Sequence, residues 1–376
     1  MIDFDFYAKC YSCGACAVVC PKHAVTMSEN CLPLVGDACV DCGLCERVCP
    51  HLNAEEYNKQ ISGDGFVGRN KNTEIRKNSS SGGVFKLLAD EAIRRGWNVC
   101  GCVYDVNMMP KHIISKDDMD IRRMMGSKYV KSDTTEALFQ MEKLLKAGEG
   151  MLFSGTPCQV AAVRNLFPSE SNLFCVGVVC HGSIERDVWQ AYLQEEQKLG
   201  NIKSVTMRDK SNGWLNYGLR FIFEDGSEHT TYRKTDGYFL RAFTDGLLER
   251  ERCLDCAYKG NQIKADILLG DAWGMKTECP ELVDQWGLSG IICMTDKGKA
   301  FFEVIKYDLD FRNIDLEPLI AKNQRIVSPA KVDKRYKKFR EQFNSNPEKI
   351  QELCERYEKP TLMNRILAKL RSMKQA

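Results

Sequence analysis

No apolar run in this chain approaches the roughly 18 residues that a membrane-spanning helix needs, so the sequence offers no transmembrane segment. Charge of one sign is also missing: 53 Lys and Arg against 51 Asp and Glu leave a net +2. That near-balance argues against a chain-wide electrostatic grip on nucleic acid, and no nucleic-acid partner is expected. Residues 1–9 lack a basic segment followed by an apolar stretch, so a secretory leader is not expected either. The nineteen cysteines are therefore read as thiols of a cytoplasmic, reducing compartment and not as a disulfide framework. With 376 residues, 44% of them hydrophobic and 28% charged, the chain has an ordinary globular composition and room for more than one domain.

What is present is a cysteine spacing used twice. Cys10, Cys13, Cys16 and Cys20 precede Pro21, and Cys39, Cys42, Cys45 and Cys49 precede Pro50, each copy reading C-x2-C-x2-C-x3-C-P. A [4Fe-4S] cube needs soft thiolates at its corners, and a close-set triplet lets one tight loop supply three of them. Structural zinc also accepts C-x2-C pairs, yet it does not explain two identical runs of four with proline after each. The runs resemble the two-cluster bacterial ferredoxin pattern, in which the fourth ligand is exchanged between copies. That resemblance implies one cluster on Cys10, Cys13, Cys16 and Cys49, and another on Cys39, Cys42, Cys45 and Cys20. Cys31 falls outside both spacings and is read as a small buried hydrophobe.

Beyond residue 60 short Val-, Ile- and Phe-rich runs alternate with helical patterns, which predicts an α/β domain. Strands are expected at 65–68, 98–104, 151–153, 173–179 and 267–269, and helices at 84–95, 134–146 and 184–198. Within 202–233 two strand-like runs flank Glu224-Asp225-Gly226-Ser227, whose Asp-Gly pair signals a hairpin, so the sheet is expected to be mixed. The fold class that follows is an α+β ferredoxin-like N-terminal domain (1–55), an α/β domain with a mixed sheet (60–328) and a basic, helical C-terminal tail (329–376). In that tail Leu362, Met363, Ile366, Leu367 and Leu370 recur at helical spacing among basic residues. Such a helix suits a peripheral membrane surface or an acidic partner, or equally its own domain.

Gly63-Asp64-Gly65-Phe66-Val67-Gly68 matches G-x-G-x-x-G, but a polar linker precedes it and Phe66-Val67 reads as the strand itself. A dinucleotide fingerprint needs a strand before the glycines and a helix opening within them, so this match is set aside. Ser79-Ser80-Ser81-Gly82-Gly83 runs directly into a helical pattern and presents hydroxyls and glycines at a helix start. Either an anion site or a plain serine-capped helix accounts for it. Four dispersed cysteines also draw notice. Cys158 follows Thr156-Pro157 at the start of a helix, Cys180 ends a strand before His181-Gly182, and Cys253 and Cys256 form a C-x2-C pair. They suit a third four-iron cluster, or else packing and a zinc pair. No catalytic acid or base is identifiable, and a supporting role suits His181 better than proton transfer.

The ordered set Ser79–Phe85 (SSSGGVF), Gly126–Val130 (GSKYV), Gly155–Gln159 (GTPCQ), Cys180-His181-Gly182, Cys253-x2-Cys256 and Gly270–Gly274 (GDAWG) resembles the beta-subunit family of coenzyme F420 hydrogenases and dehydrogenases. The resemblance implies FAD on the α/β domain and a [4Fe-4S] cluster beside it, held by Cys158, Cys180, Cys253 and Cys256. It makes Ser80, Ser81, Gly82, Gly83, Ser127, Lys128 and Thr156 candidate flavin contacts, and the Asp271-Ala272-Trp273 stretch likewise. Lys128 and Arg208 are candidate cations for a reduced flavin, and Arg208 reads equally as a surface cation. The implied partner is a redox protein or a small-molecule hydride carrier, coenzyme F420 among them. The implied activity is an FAD- and iron-sulfur-dependent oxidoreductase; an electron-relay subunit without its own substrate is the other reading.

Overall fold

The computed structural model describes residues 8–358. Near its front, β1 (Val25–Met27) and β2 (Pro33–Val35) pair as a short antiparallel ribbon. Runs that are apolar at consecutive positions can be buried on both faces, and beyond the ribbon they build one eight-stranded sheet. Its members are β3 (Asp64–Asn70), β4 (Asn98–Tyr104), β5 (Pro110–Ser115), β6 (Met151–Gly155), β7 (Leu173–Val178), β11 (Ile267–Asp271), β12 (Ser289–Cys293) and β13 (Leu309–Asn313). They lie in the order β13-β3-β12-β11-β7-β6-β4-β5. The inner strands β4, β6, β7 and β11 run parallel, while β5 on one flank and β12, β3 and β13 on the other are antiparallel. The sheet is thus mixed, as expected, and the loops leaving the parallel strands share one edge.

Alternation along the inner strands divides the core. Leu152 and Phe174 face one side with Leu88, Ala92, Phe301 and Phe302, which come from helices Val84–Arg94 and Asp296–Ile305. Phe153 and Cys175 face the other, with Leu138 and Met141 of Thr135–Lys146 and Val160 and Val163 of Pro157–Leu166. Phe174 and Phe301 stack at 3.9 Å between ring centroids. Burying such a ring contributes on the order of 1.5–3 kcal/mol.

The Asp-Gly signal marks the turn between β9 (Gly218–Phe223) and β10 (Glu228–Tyr232), where Gly226 adopts φ 84°. With β8 (Ile202–Asp209) this hairpin forms a separate three-stranded antiparallel sheet. The G-x-G-x-x-G match lies in and beside β3. A Cβ on Gly65 would meet the carbonyl of Ile314 at 2.5 Å, so this glycine is required by packing. Helices Tyr336–Ser345 and Ile350–Arg356 place Phe339, Phe343, Ile350 and Leu353 in one core with Trp189, Tyr192 and Phe239. The core therefore runs across position 328, where the sequence suggests a boundary. The amphipathic stretch 362–370 lies outside the described residues. Among those described, no helix is long and apolar enough to cross a membrane.

Candidate functional site

The two cysteine runs fold alike. Ser12 and Asp41 take φ of 50° and 51°, Gly14 and Gly43 take 74° and 72°, and a one-turn helix follows each, Ala15–Val18 and Leu44–Arg47. These left-handed steps curl each close-set triplet inward, and glycine adopts them without strain. The ribbon of β1 and β2 lies between the runs.

The thiols of the two runs lie near one another. Burial raises the pKa of Cys16, and the neighbouring thiols of Cys13, Cys10, Cys49 and Cys45 raise it further. Cys13 is pushed up to about 12, again first by burial and then by Cys10, with Cys49 also contributing. Cys20, Cys39, Cys42 and Cys45 instead line a small cavity of about 30 Å3 with Val25, Val35 and Leu44. Cys10, Cys13 and Cys49 are buried, whereas Cys39 and Cys42 are exposed. Cys31 is buried, with 2% of its surface exposed.

The third set assembles from three segments. Thr156 caps helix Pro157–Leu166, with Pro157 in the first position and Gln159 Oε1 accepting from Thr156 N at 3.0 Å, so Cys158 sits in the opening turn. Thr156 Oγ1 lies 3.3 Å from Cys158 Sγ. Burial raises the Cys253 pKa, and the charges of Cys180, Cys256 and Cys158 add to it. Cys180 is raised to about 12 by burial, with Cys158 and Cys256 contributing and Lys259 opposing. All four thiols are thus mutual neighbours. Among the described residues, no three His, Cys, Asp or Glu side chains close on a point as ligands of a single ion do.

Aromatic contacts seat the front of the chain on this third set. Tyr11 OH accepts from Arg252 Nη2 at 2.7 Å and from the backbone N–H of Ala257 at 3.0 Å. Tyr258 OH donates to the carbonyl of Pro50 at 2.6 Å, and the Tyr11 and Tyr258 rings meet edge-on at 5.2 Å. Thr134 Oγ1 donates to the carbonyl of Cys13 at 2.8 Å. The thiols of Cys158, Cys13, Cys49 and Cys256 are all neighbours of Tyr258.

At the shared edge of the parallel strands lies a cavity of about 250 Å3, lined by Ser79, Ser80, Ser81, Gly83, Ser127, Lys128, Thr156, Cys180, His181 and Asp271 among others. Such an edge is where open α/β sheets bind ligands. Ser80 Oγ accepts from Ser127 N at 2.6 Å and contacts Ser127 Oγ at 2.7 Å, joining two of the sequence motifs. Ser81 Oγ donates to the carbonyl of Leu288 at 2.7 Å. Gly82 is not part of the lining: its N–H donates to Ser289 Oγ at 2.9 Å, and a Cβ there would meet Gly68 O at 2.4 Å.

The two candidate cations are both committed to protein. Lys128 Nζ donates to the carbonyls of Arg123, Met125 and Gly126 at 2.6, 2.8 and 3.3 Å, and burial draws its pKa down to about 8. Arg208 is buried, so the surface-cation reading is corrected: its side chain bonds both oxygens of Asp271 at 3.1 and 3.2 Å, the Tyr129 hydroxyl and the Ser80 carbonyl. Trp214 Nε1 donates to the same Asp271, and Trp214 stacks on Trp273 at 4.4 Å. Asp271 and Trp273 therefore brace the wall through Arg208 and Trp214. His181 Nε2 lies 3.2 Å from Glu249 Oε1, whose carboxyl is fully buried and raised in pKa by that burial.

Among the lining residues that sequence reasoning missed are Cys102, His112 and Lys131. His112 lies on β5, a strand that carried no motif, and Lys131 directly follows GSKYV. His112 Nδ1 and Lys131 Nζ are buried without a hydrogen-bond partner among the described residues.

The family model that describes the C terminus of the beta subunit of coenzyme F420 hydrogenase/dehydrogenase matches residues 148–317. The F subunit of the F420H2 dehydrogenase of Methanosarcina mazei is 21% identical over 324 residues, spanning 80% of this chain and 83% of that protein. A chain in the structure of the F420-reducing [NiFe] hydrogenase complex from Methanosarcina barkeri, studied by xenon derivatization, matches with a TM-score of 0.50 at 20% identity, covering 72% of this chain and 93% of that one. At that identity the structural likeness concerns the fold. The matched segment 148–317 holds Thr156, the four cysteines of the third set and Asp271, and over that segment the chain is similar to the coenzyme F420 hydrogenase/dehydrogenase beta-subunit family.

Proposed function

We propose that the chain is an iron-sulfur flavoprotein oxidoreductase that passes electrons between a two-electron substrate, coenzyme F420 or another hydride carrier, and [4Fe-4S] clusters. The observation that carries this reading is a shared wall: Thr156 and Cys180 line the cavity and also adjoin the third thiol set. When bound, FAD would supply the conversion between paired and single electrons. Ser80, Ser81, Gly83 and Ser127 would hold it at the start of helix Val84–Arg94, where unpaired N–H groups favour an anion. Gly82 would support that loop from behind.

Three cluster sites follow from the thiol sets. Cys158, Cys180, Cys253 and Cys256 would hold the cluster beside the flavin; Cys10, Cys13, Cys16 and Cys49 the next; and Cys20, Cys39, Cys42 and Cys45, in a ferredoxin-like arrangement, the outermost. Arg250, buried and charged near Cys253, Cys10 and Cys158, would offset the negative charge of two of them. The exposure of Cys39 and Cys42, with Val40 60% exposed between them, also suits docking of a redox protein. A relay subunit serving a partner enzyme is therefore the second reading. Both readings place the chain in a reducing, cytoplasmic setting, and its nineteen cysteines are free.

Anaerobic purification with iron and flavin counts tests the proposal. About twelve irons and one FAD are expected, as three four-iron clusters imply; about eight would exclude the third cluster. Absence of released FAD would sink the enzyme reading. Trials of reduced F420, NADH and reduced ferredoxin as donors then separate the substrates.

A further inference from the structure

The cation that this cavity offers a ligand lies outside its motif. Lys128, within GSKYV, spends its ammonium on the carbonyls of Arg123, Met125 and Gly126, and Arg208 is held by Asp271. Lys131 is different. Its backbone is pinned on both sides, the N–H donating to the carbonyl of Ile184 at 3.1 Å and its own carbonyl accepting from Arg186 Nη1 at 3.1 Å. Its side chain lines the cavity, is 4% exposed, and ends in an Nζ without a partner among the described residues. A buried ammonium is costly unless something negative or electron-rich meets it.

A second orphan lies beside it. His112 is also 4% exposed and lines the same cavity, and Lys131 and Asp133 are among its charged neighbours. Its Nε2 is 3.0 Å from the carbonyl of Ser154, an atom that can only accept. Nε2 therefore carries the proton, and Nδ1, which has no partner, is a bare acceptor. One end of the cavity thus presents an unfilled donor next to an unfilled acceptor. A ring edge carrying a carbonyl next to an N–H, as in a uracil-like ring, satisfies both.

We propose that Lys131 and His112 read such an edge on the ring bound in this cavity, Lys131 Nζ donating to a ring carbonyl and His112 Nδ1 accepting from the adjacent ring N–H. Lys131 further supplies the counter-charge once the ring is reduced. This rests on the flavin reading above, since the flavin ring carries that edge. In hydride transfer a C–H bond of the carrier breaks and an N–H bond forms on the ring; the carrier is left oxidised and the ring gains two electrons and one negative charge. The Lys131 ammonium, which has no hydrogen-bond partner among the described residues, meets that charge. The same ammonium on a pyrophosphate would serve binding alone, and the test distinguishes the two.

The midpoint potential of the flavin in the anaerobic full-length holoprotein, and the affinities for oxidised FAD and riboflavin, are measured for wild type, Lys131→Met, Lys131→Arg and His112→Phe. Lys131→Met should weaken binding of the reduced ring about tenfold more than of the oxidised ring, which moves the two-electron midpoint ~30 mV more negative. Lys131→Arg should restore most of it. His112→Phe should weaken oxidised FAD and riboflavin alike. An unchanged potential in Lys131→Met overturns the proposal while leaving the flavin reading intact. Equal loss of oxidised and reduced FAD with riboflavin untouched also overturns it, by moving the ammonium to a phosphate. A wild-type protein that takes up no flavin overturns both.

Discussion

His112 illustrates how a single residue can be decided by its surroundings. Its imidazole, ordinarily near 6.5, is drawn down to about 4 by burial, with Lys131 and Lys128 adding to the effect and the Ser154 carbonyl opposing it. A histidine kept neutral by the fold contributes stability above the unfolded pKa, and that contribution is lost as pH falls from about 6.5 toward 4. At about 1.4 kcal/mol per pH unit the full effect is on the order of 3 kcal/mol. Unfolding measured from pH 7.5 to 4.5 should show His112→Gln losing less stability than wild type over that window; parallel curves would refute the assignment. None of this is legible in the sequence. His112 carries no motif, and its neighbours Lys131 and Ser154 are 19 and 42 positions away. The cysteines lie at the opposite extreme, since the repeated spacing that marks them is written locally.

Elements were readable where burial on both faces left an unambiguous pattern. The predicted strands and helices lie within two residues of β4, β6, β7, β11, Val84–Arg94 and Thr135–Lys146. Helix Arg186–Glu196 starts two residues later than the pattern suggests, because Ile184 is taken by bridges to Val130 and Glu249. The edge strands β5 and β13 are half polar and gave no such pattern. Gly82 belongs to this scale as well: it lets the serine loop lie flat on β3 and β12 so that the helix behind it points its first turn at the cavity. Gly82→Ala places a methyl against the backbone atoms Gly68 O and Ser289 N at 2.4 and 2.8 Å. A loss of roughly 1–3 kcal/mol is expected. Calorimetry should show a Tm lower by several degrees, at roughly 2–4 °C per kcal/mol for a large domain, and flavin affinity should fall with it.

For the whole molecule, the front cysteine runs and the sheet are joined by a few polar contacts around aromatic rings. Sequence could place each segment but not their contact, which depends on Tyr11 meeting Tyr258 across 247 positions. Tyr258→Phe deletes the bond to Pro50 and leaves a carbonyl unpaired, at a cost of about 1–3 kcal/mol local to that seam. Hydrogen exchange of residues 10–50 should quicken in the variant while the sheet stays protected; unchanged exchange would show that the seam does not depend on this bond.

The matched left-handed steps at Ser12 and Asp41 and at Gly14 and Gly43 have a consequence of their own. One loop design is used twice, but Cys10, Cys13 and Cys49 are buried whereas Cys39 and Cys42 face water. With four-iron clusters seated as proposed, such matched loops in unlike dielectrics would need no further sequence difference to give different reduction potentials. On that proposal the duplication would make a two-step voltage divider out of a single part, set by where each copy was placed.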